Sequence, residues 1–286
     1  MKASFWLLAA PDSLAEQSRR EPDGTGLGAF TPDGEPIVSK QPLAAYEDRQ
    51  FGREARSVSS RTFVAHVRFA TTGGLTRQNT HPFEMHGRLF AHNGVIGDLK
   101  ALEAELGDEM ELVGGESDSE RFFALITREI ERAGGDVGAG IQSAARWVAE
   151  HLPVFALNCV LITPEELWAL RYPAVHELHV LERAAGGPTG DRHLEHMSAG
   201  GSDRASARGH IKVSSEALSG RPALVVATEP MDDDPGWVEL GSGELLHVDA
   251  DLRATRRRAL DAPPVHPLSL ADLDLRAAAS QSAAHP

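Results

Sequence analysis

Apolar and polar residues alternate along several short stretches of the chain, which is the pattern of half-buried β-strands. Thr62 to Phe69 alternates and carries β-branched residues, and Arg88 to His92 is a second stretch of this kind. Phe155 to Thr163 is almost wholly apolar, as expected of a buried strand, and Leu167 to Arg171 follows as its hairpin partner. Further strands are predicted at Ala29 and Phe30 and over Val175 to Leu181, Ala223 to Thr228 and Glu244 to Val248.

Other stretches repeat with the period of an α-helix. The strongest is Ser117 to Ala133, whose apolar stripe is formed by Phe122, Phe123, Ile126 and Ile130 and which two glycines end. Shorter helices are predicted over Leu14 to Arg20, Asp48 to Val58, Leu99 to Leu106 and Ile141 to Leu152. Because strands and helices occur in blocks and not in strict alternation, the pattern favours α+β layers over a doubly wound sheet.

The segments between these elements are rich in turn-forming residues. Glu21 to Gly28 is predicted to be a loop, and Pro32 to Gly34 a hairpin turn. Ala184 to His210 is a long segment rich in Gly, Ser and Asp, which is typical of a mobile loop or a lid over a site. We expect one domain over residues 1–255 and a disordered C-terminal tail over residues 256–286, because the composition shifts to Ala, Pro and Ser after about Ala262.

Charge and cysteine content narrow the class of protein. The net charge of −14 argues against a nucleic-acid partner, since an acidic surface repels phosphate backbones. The chain has a single cysteine, Cys159, so an intrachain disulfide is impossible and a reducing cytoplasm is expected. No apolar run approaches the ~20 residues of a membrane span, and the run after Lys2 is too short for a signal peptide. No membrane partner is therefore expected.

Three polar clusters within residues 64–120 carry complementary chemistry. Arg68 is a fixed cation at the end of a predicted strand. It either forms an internal salt bridge or binds the carboxylate of a ligand through two hydrogen bonds. Asn93 and Gly94 form either a type I′ turn or a pair of donors for an oxyanion. Asp118 is either a helix cap, a role that also suits Ser117, or a carboxylate for a substrate ammonium. Together they suit a small zwitterion with a reactive carbonyl.

A nucleophile is harder to find. Cys159 lies in a predicted buried strand, where cysteine behaves as a small hydrophobe, and no G-x-S-x-G motif is present. His-x-x-His occurs at His176 and His179, which would face opposite sides of a strand, and at His193 and His196, in the long loop. A metal-dependent hydrolase that uses the two histidines of the long loop is a weak hypothesis. The glycine-rich segment lacks the lysine of a phosphate-binding loop, so no nucleotide site is indicated.

The order of the clusters resembles the class II glutamine amidotransferases, a family of N-terminal-nucleophile hydrolases. The resemblance covers roughly residues 3 to 250. The matching motifs are Asp23 to Gly28, Ala65 to Arg68 with Ala70 and Thr71, Asn79 to Phe83, His92 to Gly94, Ser117 to Glu120, Thr228 to Pro230 and Trp237. Each motif by itself is weak evidence for the family, but the occurrence of all the motifs in the family's order is specific.

The resemblance implies a four-layer αββα fold and release of ammonia from the side-chain amide of glutamine or a γ-glutamyl compound. The residues themselves predict no metal and no other cofactor. It assigns Arg68 to the α-carboxylate of the substrate, Asp118 to its α-ammonium, and Asn93 with Gly94 to the oxyanion. His81 and Thr71 would shape the pocket. Because no synthase or acceptor domain is expected after residue 250, either a separate ammonia-acceptor protein is a partner or the ammonia has no recipient and the enzyme is a plain amidohydrolase.

The start of the sequence departs from the family pattern. The family chain begins with a cysteine whose thiol attacks the amide, whereas this sequence begins Met1-Lys2-Ala3-Ser4. Phe5 to Leu8 resembles the segment that comes after the first strand in the family, not that strand itself. Two explanations are open: a first strand with its cysteine is missing from the sequence, or the protein binds glutamine or a γ-glutamyl compound without hydrolysing it. We favour the first, because the substrate pocket is so complete.

Overall fold

The structure is a computed structural model, and it describes residues 4–70, 73–184, 195–197, 211–212, 222–275 and 277–278. Its strands are β1 (Gly24–Phe30), β2 (Pro36–Gln41), β3 (Phe63–Arg68), β4 (Phe83–Met85), β5 (Arg88–Ile96), β6 (Pro153–Ile162), β7 (Leu167–Arg171), β8 (His179–Arg183), β9 (Glu195–Met197), β10 (Ile211–Lys212), β11 (Ala223–Ala227), β12 (Trp237–Glu239), β13 (Glu244–Val248), β14 (Ala254–Arg258) and β15 (His266–Pro267). Its α-helices are α1 (Leu14–Gln17), α2 (Arg49–Ser57), α3 (Leu99–Leu106), α4 (Asp118–Arg132) and α5 (Val137–His151). Short helical turns of other types span Phe5–Ala9, Gly107–Leu112 and Leu270–Asp272.

A seven-stranded sheet forms the centre of the molecule. Six of its strands follow the order β14-β13-β7-β6-β5-β4, and each neighbouring pair is antiparallel. The seventh strand, β15, pairs in parallel with the start of β6. Helices α4 and α5 cover one face of this large sheet, where Phe90 of β5 stacks on Phe123 of α4 with ring centroids 4.7 Å apart. The predicted apolar stripe of α4 is thus confirmed as the face that packs on the sheet.

Two three-stranded sheets cover the opposite face of the large sheet. Their strand orders are β2-β1-β3 and β11-β8-β12. The first packs through Phe30 and Val64 against β5 and β6, and the second packs through Val180 against β7 and β13. Helices α1 and α2 and the turn Phe5–Ala9 lie on the outer side of these small sheets. The layers therefore run helix, sheet, sheet, helix, which confirms the predicted α+β, four-layer αββα fold.

The glycine-rich stretch at the start of the domain was predicted as a loop, and this is wrong: it is strand β1. All seven residues of β1 are buried between β2 and β3. A Cβ at Gly26 would lie 1.9 Å from the carbonyl oxygen of His81, so glycine is needed here because another backbone segment passes directly over the strand. Gly26 is therefore required by the close approach of two backbone segments.

Two further predictions need correction. The strand expected over Val175 to Leu181 begins only at His179 and continues to Arg183. The disordered tail expected from residue 256 is wrong for its described part, because residues 256–258 belong to β14 and His266–Pro267 pairs with β6. Leu268 and Leu273 also pack against Phe155, so this segment has apolar contacts that composition alone does not reveal. Most of the long segment from Ala184 to His210 lies outside the described residues.

Candidate active site

A cavity of about 280 Å³ lies between the two small sheets and the large sheet. Five residues singled out from the sequence line it together: Arg68, His81, Asn93, Gly94 and Asp118. Thr71, the sixth, lies outside the described residues. The fold thus brings together residues that come from three different strands or helices and a connecting loop.

Arg68 lies at the end of β3 and is only 5% exposed. Its Nη1 donates a hydrogen bond to the carbonyl oxygen of Gly74 at 3.2 Å. A buried guanidinium is stable only where acceptors surround it, and a carboxylate accepts two of its N–H groups in parallel. Its position at the cavity wall suits the binding of such a carboxylate.

Asp118 is the first residue of α4 and is 2% exposed. Its Oδ2 accepts a hydrogen bond from the backbone N–H of Ile96 at 2.9 Å, which fixes the carboxylate against the end of β5. The capping role belongs to Ser117, whose hydroxyl accepts from the N–H of Glu120. Asp118 is therefore a buried anion at a helix N-terminus, where the helix dipole favours negative charge.

Asn93 and Gly94 lie inside β5, opposite Asn158 and Leu157 of β6, so the alternative of a tight turn is wrong. Leu89 and Ala91 face the small sheets, and by alternation the Asn93 side chain points to the same side, into the cavity. A Cβ at Gly94 would lie 1.9 Å from the carbonyl oxygen of Ala156, which accounts for glycine at this position.

Asn79 joins the backbone segments that follow Arg68 and precede Asp118, and this role was missed from the sequence. Its Nδ2 donates to the Gly74 carbonyl that also accepts from Arg68, at 3.2 Å. Its Oδ1 accepts from the backbone N–H of Glu116 at 2.7 Å, two residues before Asp118. The side chain is 2% exposed. The sequence signal for this bridge was the place of Asn79 at the start of the Asn79 to Phe83 motif.

Three buried histidines lie beside the cavity. The rings of His66 and His81 stack with centroids 4.1 Å apart, and burial lowers the pKa of His66 to about 4 and that of His81 well below its ordinary value. Burial also lowers the pKa of His92. His92 Nε2 lies 3.2 Å from the carbonyl oxygen of Ala156, so this nitrogen carries the proton and Nδ1 accepts from the Ser119 hydroxyl at 2.9 Å. All three rings are therefore neutral at pH 7.

Cys159 does not suit the role of nucleophile. Its side chain belongs to the core between the large sheet and helices α4 and α5, and it is 2% exposed. Burial raises the pKa of its thiol to about 12, so almost no thiolate forms at neutral pH. This agrees with the expectation that Cys159 is a core residue.

A second acidic group near Arg68 was not anticipated. Glu21 lines the cavity, and burial, followed by the charge of Glu229, raises its pKa to about 7. Its neighbour Pro22 forms a bridge with Arg68, so the carboxyl lies near the same end of the cavity as the guanidinium. Its pKa lets this carboxyl change charge around neutral pH.

The metal hypothesis finds no support in the part of the chain that the structure describes. Within those residues no group of three or more His, Cys, Asp or Glu side chains is placed to hold a metal ion. His176 precedes β8 and His179 begins it. His193 lies outside the described residues, and for His196 only the backbone is described.

Comparison with known proteins settles the family. The model of the family described as "Glutamine amidotransferases class-II" matches residues 12–265. The chain belongs to this family. A protein of Methanocaldococcus jannaschii named "Uncharacterized protein MJ1515" is 30% identical over 254 residues, which cover 82% of this chain and 63% of that relative. The chain thus spans less than two thirds of that relative's length.

Solved structures of the family share the fold. A class II glutamine aminotransferase domain protein from Silicibacter pomeroyi superposes with a TM-score of 0.55 at 22% identity, over 84% of this chain and 92% of that one. Glutamine phosphoribosylpyrophosphate amidotransferase from B. subtilis superposes with a TM-score of 0.59 at 18% identity, over 87% of this chain and 46% of that one.

In the described part of this chain, no helix has both the length and the apolar character needed to cross a membrane.

Proposed function

We propose that the cavity binds glutamine or a γ-glutamyl compound and that the protein acts on its side-chain amide. Arg68 binds the α-carboxylate, and Asp118 binds the α-ammonium. The Asn93 side chain and the Gly94 backbone N–H stabilise the oxyanion that forms when the amide carbonyl is attacked. His81 shapes the pocket together with Thr71, which lies outside the described residues.

One observation carries this proposal. Arg68 and Asp118, a buried cation and a buried anion, line the same cavity. The Asn79 side chain bonds to the Gly74 carbonyl that Arg68 also contacts and to the N–H of Glu116, two residues before Asp118. Two opposite charges held at fixed positions match the two charges of an α-amino acid. Asn93 lines the same cavity, which supports its proposed contact with the amide of the substrate.

The hydrolytic step needs a thiol. When the thiol attacks the amide, a sulfur–carbon bond forms and the carbon–nitrogen bond breaks, and ammonia leaves with the thiol proton. Water then cleaves the thioester to a carboxylate and restores the thiol. Cys159 is the sole cysteine of the chain and lies in the core, so we propose that the reacting thiol comes from a segment outside the 286 residues.

The alternative is a binding protein of the same fold that does not hydrolyse its ligand, and the buried state of Cys159 favours it. Both alternatives require the same binding pocket. Isothermal titration of the chain with L-glutamine tests the pocket, and Arg68→Gln and Asp118→Asn should each weaken binding at least tenfold. Arg61→Gln is the matched control, because Arg61 lines the far part of the cavity and is exposed.

Absence of glutamine binding by a folded wild-type chain would contradict both alternatives. Equal binding by the Arg68 and Arg61 variants would contradict the assigned roles. Ammonia release then separates the two alternatives. A chain extended by the in-frame sequence encoded upstream, if that sequence supplies a cysteine, should release ammonia from glutamine, and its Cys→Ala variant should not.

A further inference from the structure

The pairing of β5 with β6 becomes irregular directly after Asn93 and Gly94. These two residues are in regular register with β6, whereas the register shifts between Val95 and Ile96. The N–H of Ile96 donates to the Asp118 carboxylate at 2.9 Å. A register shift interrupts the ladder of hydrogen bonds, so a strand is held less firmly by its neighbour there. The hydrogen bond that fixes Asp118 therefore lies where the large sheet is weakest in this region.

A segment near the C-terminus is attached to β6 at this register shift. We call it the C-terminal strap and define it as residues 265–275; it begins where the match to the family model ends. Val154 of β6 is the partner of Ile96, and it also pairs with Pro267 of the strap. The carbonyl oxygen of Val154 accepts a hydrogen bond from the N–H of Leu268 at 2.8 Å. The strap thus supports the residue that the end of β5 pairs with.

Apolar side chains of the strap cover one face of the strands at the same place. Leu268 and Leu273 pack with Val95 and Phe155, which are 7% and 2% exposed. Val95 lies two residues after Asn93, so the two side chains point to the same face of β5. The strap therefore covers the part of this face that follows the cavity.

Phe155 connects the strap with the strand on the other side of Asn93. Its ring packs edge-on against His176, with ring centroids 5.3 Å apart. The carbonyl oxygen of His176 accepts a hydrogen bond from Nδ2 of Asn158 at 3.3 Å. Asn158 lines the cavity and is the strand partner of Asn93. The packing of the strap thus reaches both members of this pair, one through Val95 and the other through Phe155.

The strap is itself fixed in shape. The Asp272 carboxylate accepts hydrogen bonds from the N–H and the hydroxyl of Ser269 at 2.8 and 2.6 Å, around the helical turn Leu270–Asp272. At the start of the strap, the N–H of Val265 donates to the carbonyl oxygen of Ala149 at 2.8 Å, in the last turn of α5. Because its backbone is held on both sides of Leu268, the strap can hold other residues in place.

We propose that the C-terminal strap is a positioning element of the site. It holds the end of β5, so that the N–H groups of Gly94 and Ile96 stay in place. Leu268 and Leu273 act through Val95 and contact no substrate, so they are positioning residues. The consequence for glutamine binding rests on the function proposed above, whereas the effect on the end of β5 does not.

Hydrogen exchange of the full chain, read by mass spectrometry, tests the positioning without a ligand. In Leu268→Ala and in Leu273→Ala, exchange in residues 93–97 should be about tenfold faster, because a side chain that covers this end of β5 is shortened. Leu270→Ala is the matched control: it makes the same change in the same segment, but Leu270 is 42% exposed, so exchange should stay as in the wild type. Exchange in residues 24–30 should be the same in all variants. Equal exchange of residues 93–97 in the three variants overturns the proposal.

Isothermal titration with L-glutamine measures the consequence for the site. The Kd should rise about tenfold in Leu268→Ala, as expected when one hydrogen bond to a charged group is weakened. Leu268→Met keeps the volume of the side chain and should restore the affinity. Leu240→Ala removes a fully buried leucine from the separate core beneath β8, so it should lower the temperature of unfolding and leave the Kd unchanged. If Leu240→Ala weakens binding as much as Leu268→Ala does, the strap acts only through stability and the proposal is overturned.

The two measurements separate this inference from the proposed function. Absence of glutamine binding by the folded wild type contradicts the proposed function, and the exchange rates still decide whether the strap holds the end of β5. Faster exchange with an unchanged Kd overturns the role of the strap in the site. Faster exchange together with weaker binding supports the proposal.

Discussion

Replacing Gly26 by alanine tests one of the two closest backbone approaches in the site, the other being at Gly94. The new Cβ would lie 1.9 Å from the carbonyl oxygen of His81 and 2.9 Å from Cδ of Pro82. Carbon and oxygen atoms normally approach to about 3.3 Å, so β1 and the His81 segment must separate by about 1.4 Å. Neither contact is the end of a flexible side chain, so the backbone must move.

Such overpacking costs about 1–3 kcal/mol or more, and each kcal/mol lowers the midpoint of thermal unfolding by about 2–4 °C in a domain of this size. We therefore expect a fall of roughly 2–12 °C for Gly26→Ala, measured by circular dichroism. Because His81 stacks on His66 beside the cavity, glutamine binding should weaken as well.

Gly52→Ala is the matched control. Gly52 lies within α2, and its nearest neighbour to a new Cβ is Nη1 of Arg56, the end of a flexible side chain, at 3.2 Å. Alanine is favoured over glycine in a helix by up to ~1 kcal/mol, so this variant should be as stable as the wild type or more so. If Gly26→Ala unfolds at the same temperature as Gly52→Ala, the explanation of the glycine-rich strand is refuted.

Three further predictions concern buried polar groups. Because the pKa of His66 falls from 6.5 to about 4 on folding and that of His81 is also lowered, the unfolded chain binds more protons in this range. The free energy of unfolding, measured with urea, should therefore be highest above pH 6.5 and fall as the pH drops toward 4. A free energy that does not change with pH would contradict neutral, buried rings. Cys159 should react with a thiol reagent only after unfolding, because burial raises its pKa to about 12, and rapid reaction of the native chain would show that it is not in the core. Arg171→Met should destabilise the protein by about 2 kcal/mol in urea titration, since the buried guanidinium donates to two backbone carbonyls and pairs with Glu239 at 2.6 Å. A loss below about 0.5 kcal/mol would mean that these contacts are replaced by water.

Helices were the most predictable part of the fold. The stripe of Phe122, Phe123, Ile126 and Ile130 predicts α4, because helical periodicity is a local property of the sequence. The cluster order likewise pointed to Arg68, Asn93, Gly94 and Asp118, and all four line one cavity. Residue type and order can be read from a single sequence, so these four candidates could be named before the fold was known.

Strands and their neighbours were less predictable. Gly24 to Gly28 was predicted as a loop because glycine usually marks turns, whereas the reason for Gly26 is the His81 backbone that crosses it from 55 residues further along the chain. The Asn93-Gly94 pair could equally have been a turn, and only the pairing with Asn158 and Leu157 excludes it. Both errors concern contacts between distant segments, which local patterns do not contain.

By itself, the sequence determined the helices, most of the strands, the family and the residues that carry opposite charges. Only the tertiary structure decided that Asn79 joins the segments next to Arg68 and Asp118, that Cys159 faces the helices, and that the His81 backbone passes over Gly26. The physical reason is that periodicity and residue type act over a few neighbouring residues. Side-chain direction across a sheet and the pairing of strand edges depend on segments far apart in the chain, and they exist only once the layers have packed.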